Sequence, residues 1–458
     1  METKDFNGDI ETSFEVPARI LEEGIILSEK TEKVLISKQP FKRAEEYWDT
    51  LGPGLTTGAA DDDPSGIATY SQAGAQYGPQ LIWFALFTFP FMAIVQEMCA
   101  RIGLVSGQGL AANIRHHYSP RSLYVVTALL FFANTLNIAA DLGAMAAATR
   151  LLFPNAGIEL LVIFFAFVSL LLQIFTTYAR YAKYLKYLAL ALLSYVVVAF
   201  AVHLNWNTIL YHTFVPSMTF SKDQIFLIAA ILGTTISPYL FFWQTSQEVE
   251  QEIQHGETTI KLRQASVSVQ SVHAMRTDVW SGMFFSNLIT FFIFAATAGT
   301  LYASGITSIV TANQAAAALK PFGQFAYLLF TLGIVGTGLL AVPVLAGSTA
   351  YALAESFGWR SGLYRKLKQA YAFYGVIIVS MVLGVSAIFI HLDPIRALIY
   401  AAVANGVIAP IILFFIIRLS GNKKIMGTYS NHPVVAFLGW VTLIGMAIAG
   451  IAAILTLL

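Results

Sequence analysis

Three consecutive carboxylates, Asp61, Asp62 and Asp63, followed by Pro64, Ser65 and Gly66, interrupt the apolar, glycine-rich stretch LGPGLTTGAADDDPSGIATYSQ at 51–72. Pro64 lacks a backbone donor and Gly66 is conformationally loose, so a helix entering this stretch is expected to unwind there. Unwinding frees carbonyl oxygens at bilayer depth, which is tolerated only where they are buried in protein or line a cavity. A carboxylate at that depth needs a partner, and a cation is the natural one. The chemistry expected is an ion site in a broken transmembrane helix. The competing expectation is a surface loop preceding a shorter helix. A second interruption lies at 232–247, LGTTISPYLFFWQTSQ, where Gly233 and Pro238 flank Thr234, Thr235 and Ser237. Two broken helices five spans apart point to inverted halves and to a transporter's midplane binding site.

The elements that must hold these breaks follow from composition. The chain has 458 residues, 57% of them hydrophobic and 12% charged, with a mean hydropathy of +0.66. Soluble domains carry about 25% charged residues, so the chain reads as an all-α integral membrane protein. Apolar runs near the length of a span recur about eleven times, at about 50–72, 79–103, 121–149, 157–177, 184–203, 223–247, 279–302, 322–353, 370–390, 396–418 and 434–456. Basic residues gather on alternate connections. Arg115, Arg121, Arg180, Lys183, Lys186, Arg360, Arg365, Lys366, Lys368, Lys423 and Lys424 fall on one side, and Arg150, Lys222, Lys320 and Arg396 on the other. The positive-inside rule then puts the N-terminus in the cytoplasm and, with eleven spans, the C-terminus outside. The expected divisions are a cytoplasmic tail at 1–48, a first repeat of five helices at 49–203, an external loop at 204–222, a second repeat at 223–418, and an inner loop with the last helix at 419–458.

Composition also excludes classes. A net charge of +1 gives no reason for a nucleic-acid partner, and no nucleic-acid motif is present. The one cysteine, Cys99, cannot form an internal disulfide and reads as an inert buried thiol. Residues 1–48 are polar and mixed in charge without an apolar opening run, so no cleavable signal peptide is expected. No nucleophile–base pair, metalloprotease motif or phosphate-binding loop suggests an enzyme.

The stretch GPGLTTGAADDDPSGIATYSQAGAQYG resembles the first helix of the NRAMP metal-ion transporters, whose motif there is Asp-Pro-Gly-Asn. The likeness continues through VQEMCARIGLVSGQGL and LGTTISPYL, strongly over the first half of the chain and loosely over the second. It implies a LeuT-type fold of two inverted five-helix repeats with helices 1 and 6 broken. It also implies alternating-access import of a divalent metal, usually manganese or iron and usually with protons, through a bacterial inner membrane. Asp63 matches the motif aspartate and Pro64 its proline, so Asp63 is the expected metal ligand, with Asp61 and Asp62 drawing cations toward it or merely solvated in a vestibule.

The chain departs from the family at several positions. Gly66 stands where the family has its motif asparagine, leaving Ser65 or Asp62 to supply the missing oxygen. Ser237 stands where the family has a methionine ligand. Losing a soft thioether removes a preference for transition metals and suits Mg²⁺ or Mn²⁺, although a serine there could equally bond its own helix. Thr234 aligns with a residue that offers its backbone carbonyl. Tyr239 replaces a histidine of the proton route, and tyrosine, with an unperturbed pKa of about 10, carries protons poorly at neutral pH. The family's acidic positions in the third helix align with Asn137 and Ala140. Asp141, one residue on, is turned by about 100° and either faces elsewhere or is a displaced proton acceptor.

Outside the breaks, Asn405 reads as an interhelical hydrogen-bonding residue, Ser348 and Thr349 as packing residues, and Glu97 with Arg101 as an ion pair. Glu248, Glu250 and Glu252 read as part of a solvated linker, with attraction of released cations as the alternative. His116 and His117 do not share a metal. The function expected is a divalent-cation importer for Mn²⁺ or Mg²⁺ and, less so, Fe²⁺, with proton coupling in doubt and no cofactor. The alternatives are an ion-coupled amino-acid or organic-solute carrier, or a sensor that has lost transport.

Overall fold

The computed structural model describes residues 52–176, 190–387 and 393–457. The tail at 1–48, the inner-side residues Arg180, Lys183 and Lys186, the start of the span at 184–203 and the end of that at 370–390 lie outside the described residues. Among the described residues all regular structure is helical.

Helix α1 (Pro53–Asp61) stops two residues before α2 (Pro64–Tyr77) begins. The break is thus Asp62–Asp63, narrower than the expected unwinding over 61–66. Pro64 explains this: at the first position of a helix its missing N–H and preset φ are no handicap. It starts α2 rather than disrupting it, and Ser65 and Gly66 fall in the first helical turn. The second break has the same construction. Helix α7 (Lys222–Thr235), reached through α3 (Trp83–Ser106), α4 (Pro120–Thr149), α5 (Ile158–Phe175) and α6 (Leu193–Ala201), ends before Ile236–Ser237, and α8 (Pro238–Gln254) opens on Pro238. Four longer or peripheral helices follow: α9 (Val269–Thr300), α10 (Ala326–Phe357), α11 (Tyr371–Ser386) and α12 (Pro394–Ser420), with α13 (Pro433–Leu457) last.

Small residues let the broken helices approach their neighbours. Along α9, Asp278, Gly282 and Ser286 recur every fourth residue and so share a face. That face runs along the Gly54 and Gly58 face of α1. The Asp278 carboxylate accepts from Gly54 N at 2.6 Å and Leu55 N at 3.0 Å, satisfying two orphan donors at the start of α1. A Cβ on Gly58 would stand 2.3 Å from the Gly282 carbonyl oxygen, and one on Gly282 would stand 2.2 Å from the Gly54 oxygen. Close approach of small residues supplies the packing that membrane helices cannot draw from the hydrophobic effect. On α7, Gly233 makes a similar approach to α12, where its Cβ would meet the Ala402 oxygen at 2.0 Å.

Eight helices among the described residues are long and apolar enough to cross a membrane. A ninth counts if Leu190–Ala201 and Trp206–Phe214, bent by 117°, form one span. The expected eleven therefore remains an expectation. Burial sorts these helices: in the most apolar stretch of each, the span containing α10 and the α7–α8 pair are 78% buried, whereas α5 is 28% and α13 22%. The first two are core, and the last two present faces such as Phe164, Phe167, Ile448 and Ile451 outward, where hydrocarbon is their compatible solvent.

Candidate metal site

The two breaks lie side by side. Tyr70 on α2 and Thr235 on α7 share a 2.9 Å hydrogen bond, and the Ser65 and Thr234 hydroxyls stand 3.3 Å apart. Asp63 is the N-cap of α2, in extended backbone conformation. Its Oδ1 accepts from Ser65 Oγ at 2.6 Å and from Gly66 N at 2.7 Å. Its Oδ2 receives only the Tyr239 hydroxyl, at 3.4 Å, while that hydroxyl also donates to Ala60 O at 3.1 Å. One oxygen is fixed by its own helix and the other faces the α8 side of the break.

Asp61, Asp62 and Asp63 are 1%, 5% and 1% exposed, which replaces the expectation of a solvated vestibule for the first two. The burial comes from α9, whose Ser286 hydroxyl reaches both Asp61 Oδ2 at 2.8 Å and Asp62 Oδ1 at 3.2 Å. Asp61 Oδ1 has no hydrogen-bond partner. A mid-span aspartate costs about 2.5–3.5 kcal/mol on insertion scales, and three occur in a row. Among the described residues the ion pairs within 4 Å involve only Glu97, so no basic side chain compensates any of the three. Nor do three acidic, histidine or cysteine side chains converge anywhere among the described residues.

The remaining expected residues divide. Gly66 contributes its N–H to Asp63, and a Cβ in its place would stand 3.2 Å from the Tyr70 ring and 3.3 Å from Thr234 Oγ1, leaving little room for an asparagine. Ser237 uses its hydroxyl on the Gly233 and Thr234 carbonyls at 2.9 and 2.7 Å. That is the helix-bonding alternative, and it leaves the second lone pair of the Thr234 oxygen for another partner. Asp141 is fully buried, both its oxygens lack hydrogen-bond partners, and its charge acts on Asp63 and Tyr239. Its carboxylate thus lies within electrostatic reach of the break. Asn137 instead donates to Ala133 O at 2.9 Å and to Asn405 Oδ1 at 3.0 Å, tying α4 to α12.

One reading away from the break is corrected. Glu248, Glu250 and Glu252 are buried, not solvated, because the α8 helix continues to Gln254 and packs against α3 and α10. Glu250 accepts from the Tyr351 hydroxyl and the Leu363 amide. Glu97 does pair with Arg101, at 3.9 Å, but Arg276 at 3.0 Å is its closer partner and Trp280 Nε1 donates to it at 2.8 Å. Asn134 holds Ser348 and Thr349 at 2.9 and 2.8 Å, the packing role expected of them. Cys99 is buried and free, and His116 and His117 are exposed. The residues missed in the sequence are Asp278 and Ser286. Their signal was the four-residue spacing of Asp278, Gly282 and Ser286, which an expected span starting at 279 cuts at its first member.

Comparison with known proteins gives the family and the fold. A protein-family model described as natural resistance-associated macrophage protein-like matches residues 54–456, well past the first half of the chain. The divalent metal cation transporter MntH of Aeromonas hydrophila is 28% identical over 403 residues, covering 85% of this chain and 91% of that protein. Among solved structures, the Eremococcus coleocola manganese transporter, in complex with an aromatic bis-isothiourea substituted compound, superposes with a TM-score of 0.72. It is 16% identical, over 90% of this chain and 87% of that one. Mhp1, a nucleobase-cation-symport-1 family transporter, follows at a TM-score of 0.55 and 14% identity, over 88% and 91%. The all-helical LeuT-type architecture is common to them.

Proposed function

We propose that this chain, which belongs to the natural resistance-associated macrophage protein-like family, imports Mn²⁺ and Mg²⁺ by alternating access, binding the ion between its two broken helices. The observation that carries the reading is the Asp63 carboxylate, buried and without a basic partner, with Oδ1 pinned by Ser65 and Gly66. Its Oδ2 and the Thr234 carbonyl are the oxygens available to a cation. Hard oxygens with retained water suit Mg²⁺ and Mn²⁺, and no thioether at position 237 adds the softness that would favour later transition metals. Fe²⁺ is a weaker substrate of the same site. The membrane is the bacterial inner membrane, with the N-terminus cytoplasmic, the C-terminus outside, and loading from the outer face. The chain is a transporter rather than an enzyme.

Transport runs without obligatory proton exchange. Tyr239 fills the place of a proton-carrying histidine and is engaged by Ala60 O and Asp63, and a phenol stays protonated near neutral pH. Asp141 acts as a second fixed charge drawing the cation inward. Proteoliposome uptake with internal pH monitored tests this. Mn²⁺ entry without acidification, inhibited by millimolar Mg²⁺, is the expected result; entry of one proton per Mn²⁺ would overturn it. Asp141→Asn is expected to reduce initial uptake several-fold while leaving internal pH unaffected, and an unchanged rate would remove Asp141 from the account. Ser237→Met is expected to weaken Mg²⁺ competition against Mn²⁺ roughly tenfold, ~1.4 kcal/mol of preference. Equal competition in both forms would show that position 237 does not face the ion.

A further inference from the structure

Beyond the break, α8 carries a second set of buried oxygens that the site at Asp63 does not use. Gln244, Glu248 and Glu252 recur every fourth residue, on one face of the helix. Their exposures are 0%, 4% and 6%. Gln244 Nε2 donates to Glu248 Oε1 at 2.8 Å, which fixes the amide beside that carboxylate. The other amide atom, Gln244 Oε1, is buried without a partner, and so are both Glu252 oxygens. No Lys or Arg lies within 4 Å of either carboxylate among the described residues, because the ion pairs there involve only Glu97. Arg263 acts on Glu252 electrostatically but turns its Nε to Gly107 O and its Nη1 to Glu257 O. Buried charges are ordinarily paired or bound to a metal, since leaving them alone is costly. Glu248 lies about ten residues, or ~15 Å, along α8 from its start at the break.

From these orphaned oxygens we infer that Gln244, Glu248 and Glu252 form a second, weaker divalent-cation site, through which the ion passes after leaving Asp63. The inference rests on the transport reading given above. Two carboxylates and an amide leave most of the ion's coordination to water, which suits a cation in transit: binding must be favourable enough to enter and weak enough to leave. Asp278, whose carboxylate caps α1, also acts on Glu248. A cation here is therefore attracted by the same residue that holds the first half-helix in place.

The test counts Mn²⁺ bound to the purified full chain by equilibrium dialysis, for the native protein, Asp63→Asn, and the double variant Glu248→Gln with Glu252→Gln. Two ions are expected on the native chain and one on each variant. In proteoliposomes the double variant is expected to keep the half-saturating Mn²⁺ concentration and lose several-fold in maximal rate. A double variant that binds as many ions as the native chain overturns the second site, and the Asp63→Asn count then still decides the first. Loss of an ion from the double variant with none lost from Asp63→Asn would instead uphold this site and remove the one at the break. The single variant Glu252→Gln guards against misfolding. It removes an unpartnered charge, so without metal it is expected to melt higher than the native chain. Lower melting would show that the charge has a structural partner, and would overturn the inference.

Discussion

Replacing Asp63 with asparagine is expected to abolish Mn²⁺ uptake while leaving the fold intact, and replacing it with alanine to abolish uptake and also loosen α2. The two variants separate the residue's two jobs. Asp63 caps α2 through Oδ1, accepting from Ser65 Oγ and Gly66 N. Asparagine retains a carbonyl oxygen for those donors and is as good a cap. Alanine does not, and the loss costs about 1 kcal/mol. Neither substitute supplies the negative charge a divalent cation requires. The expected fall in initial uptake is roughly a hundredfold or more for both, ~2.8 kcal/mol at 1.4 kcal/mol per decade, with only the alanine variant melting earlier. Full uptake by Asp63→Asn, measured in proteoliposomes beside native protein, would reduce Asp63 to a helix cap.

Gly282→Val is expected to cut uptake at least tenfold without touching the ion. The Cβ it introduces would stand 2.2 Å from the Gly54 carbonyl oxygen and 2.9 Å from the Leu55 Cα. Those are backbone atoms, so α1 and α9 must separate. Separation draws Asp278 away from the Gly54 and Leu55 amides and Ser286 away from Asp61 and Asp62. Overpacking of this kind costs about 1–3 kcal/mol, and the lost caps and Asp–Ser contacts add to it. Gly445→Ala on α13 is the control: nothing lies within 4 Å of its added Cβ, so uptake and melting temperature are expected to stay at native values. A Gly282→Val protein with native uptake and stability would show that the α1–α9 contact does not position the carboxylates.

The fold was legible in the sequence to the extent that proline, glycine and apolar length decide it. Both breaks were placed by Pro64 and Pro238, and the observed helices start and stop within several residues of most expected spans. The first break is narrower than proline as a disruptor implies, because at the first helical position proline is a starter. Of the candidate site, the buried aspartates were legible, since charge at bilayer depth demands a reason. Their surroundings were not. Ser286, Asp278 and the orientation of Asp141 depend on which helix faces meet, and linear spacing fixes a face only relative to its own helix. Solvation is the expectation for Glu248 and Glu252, since acidic residues near a span end are ordinarily exposed. Only the continuation of α8 into the packed interior buries them.

The most direct measurement is the position of Mn²⁺ in a crystal of the protein, located by its anomalous scattering. A peak between Asp63 Oδ2 and the Thr234 carbonyl oxygen, absent from Asp63→Asn crystals grown with the same metal, is the result this account predicts. Mn²⁺ bound to protein that transports it, with no peak at the break, would contradict the claim that the two broken helices hold the ion.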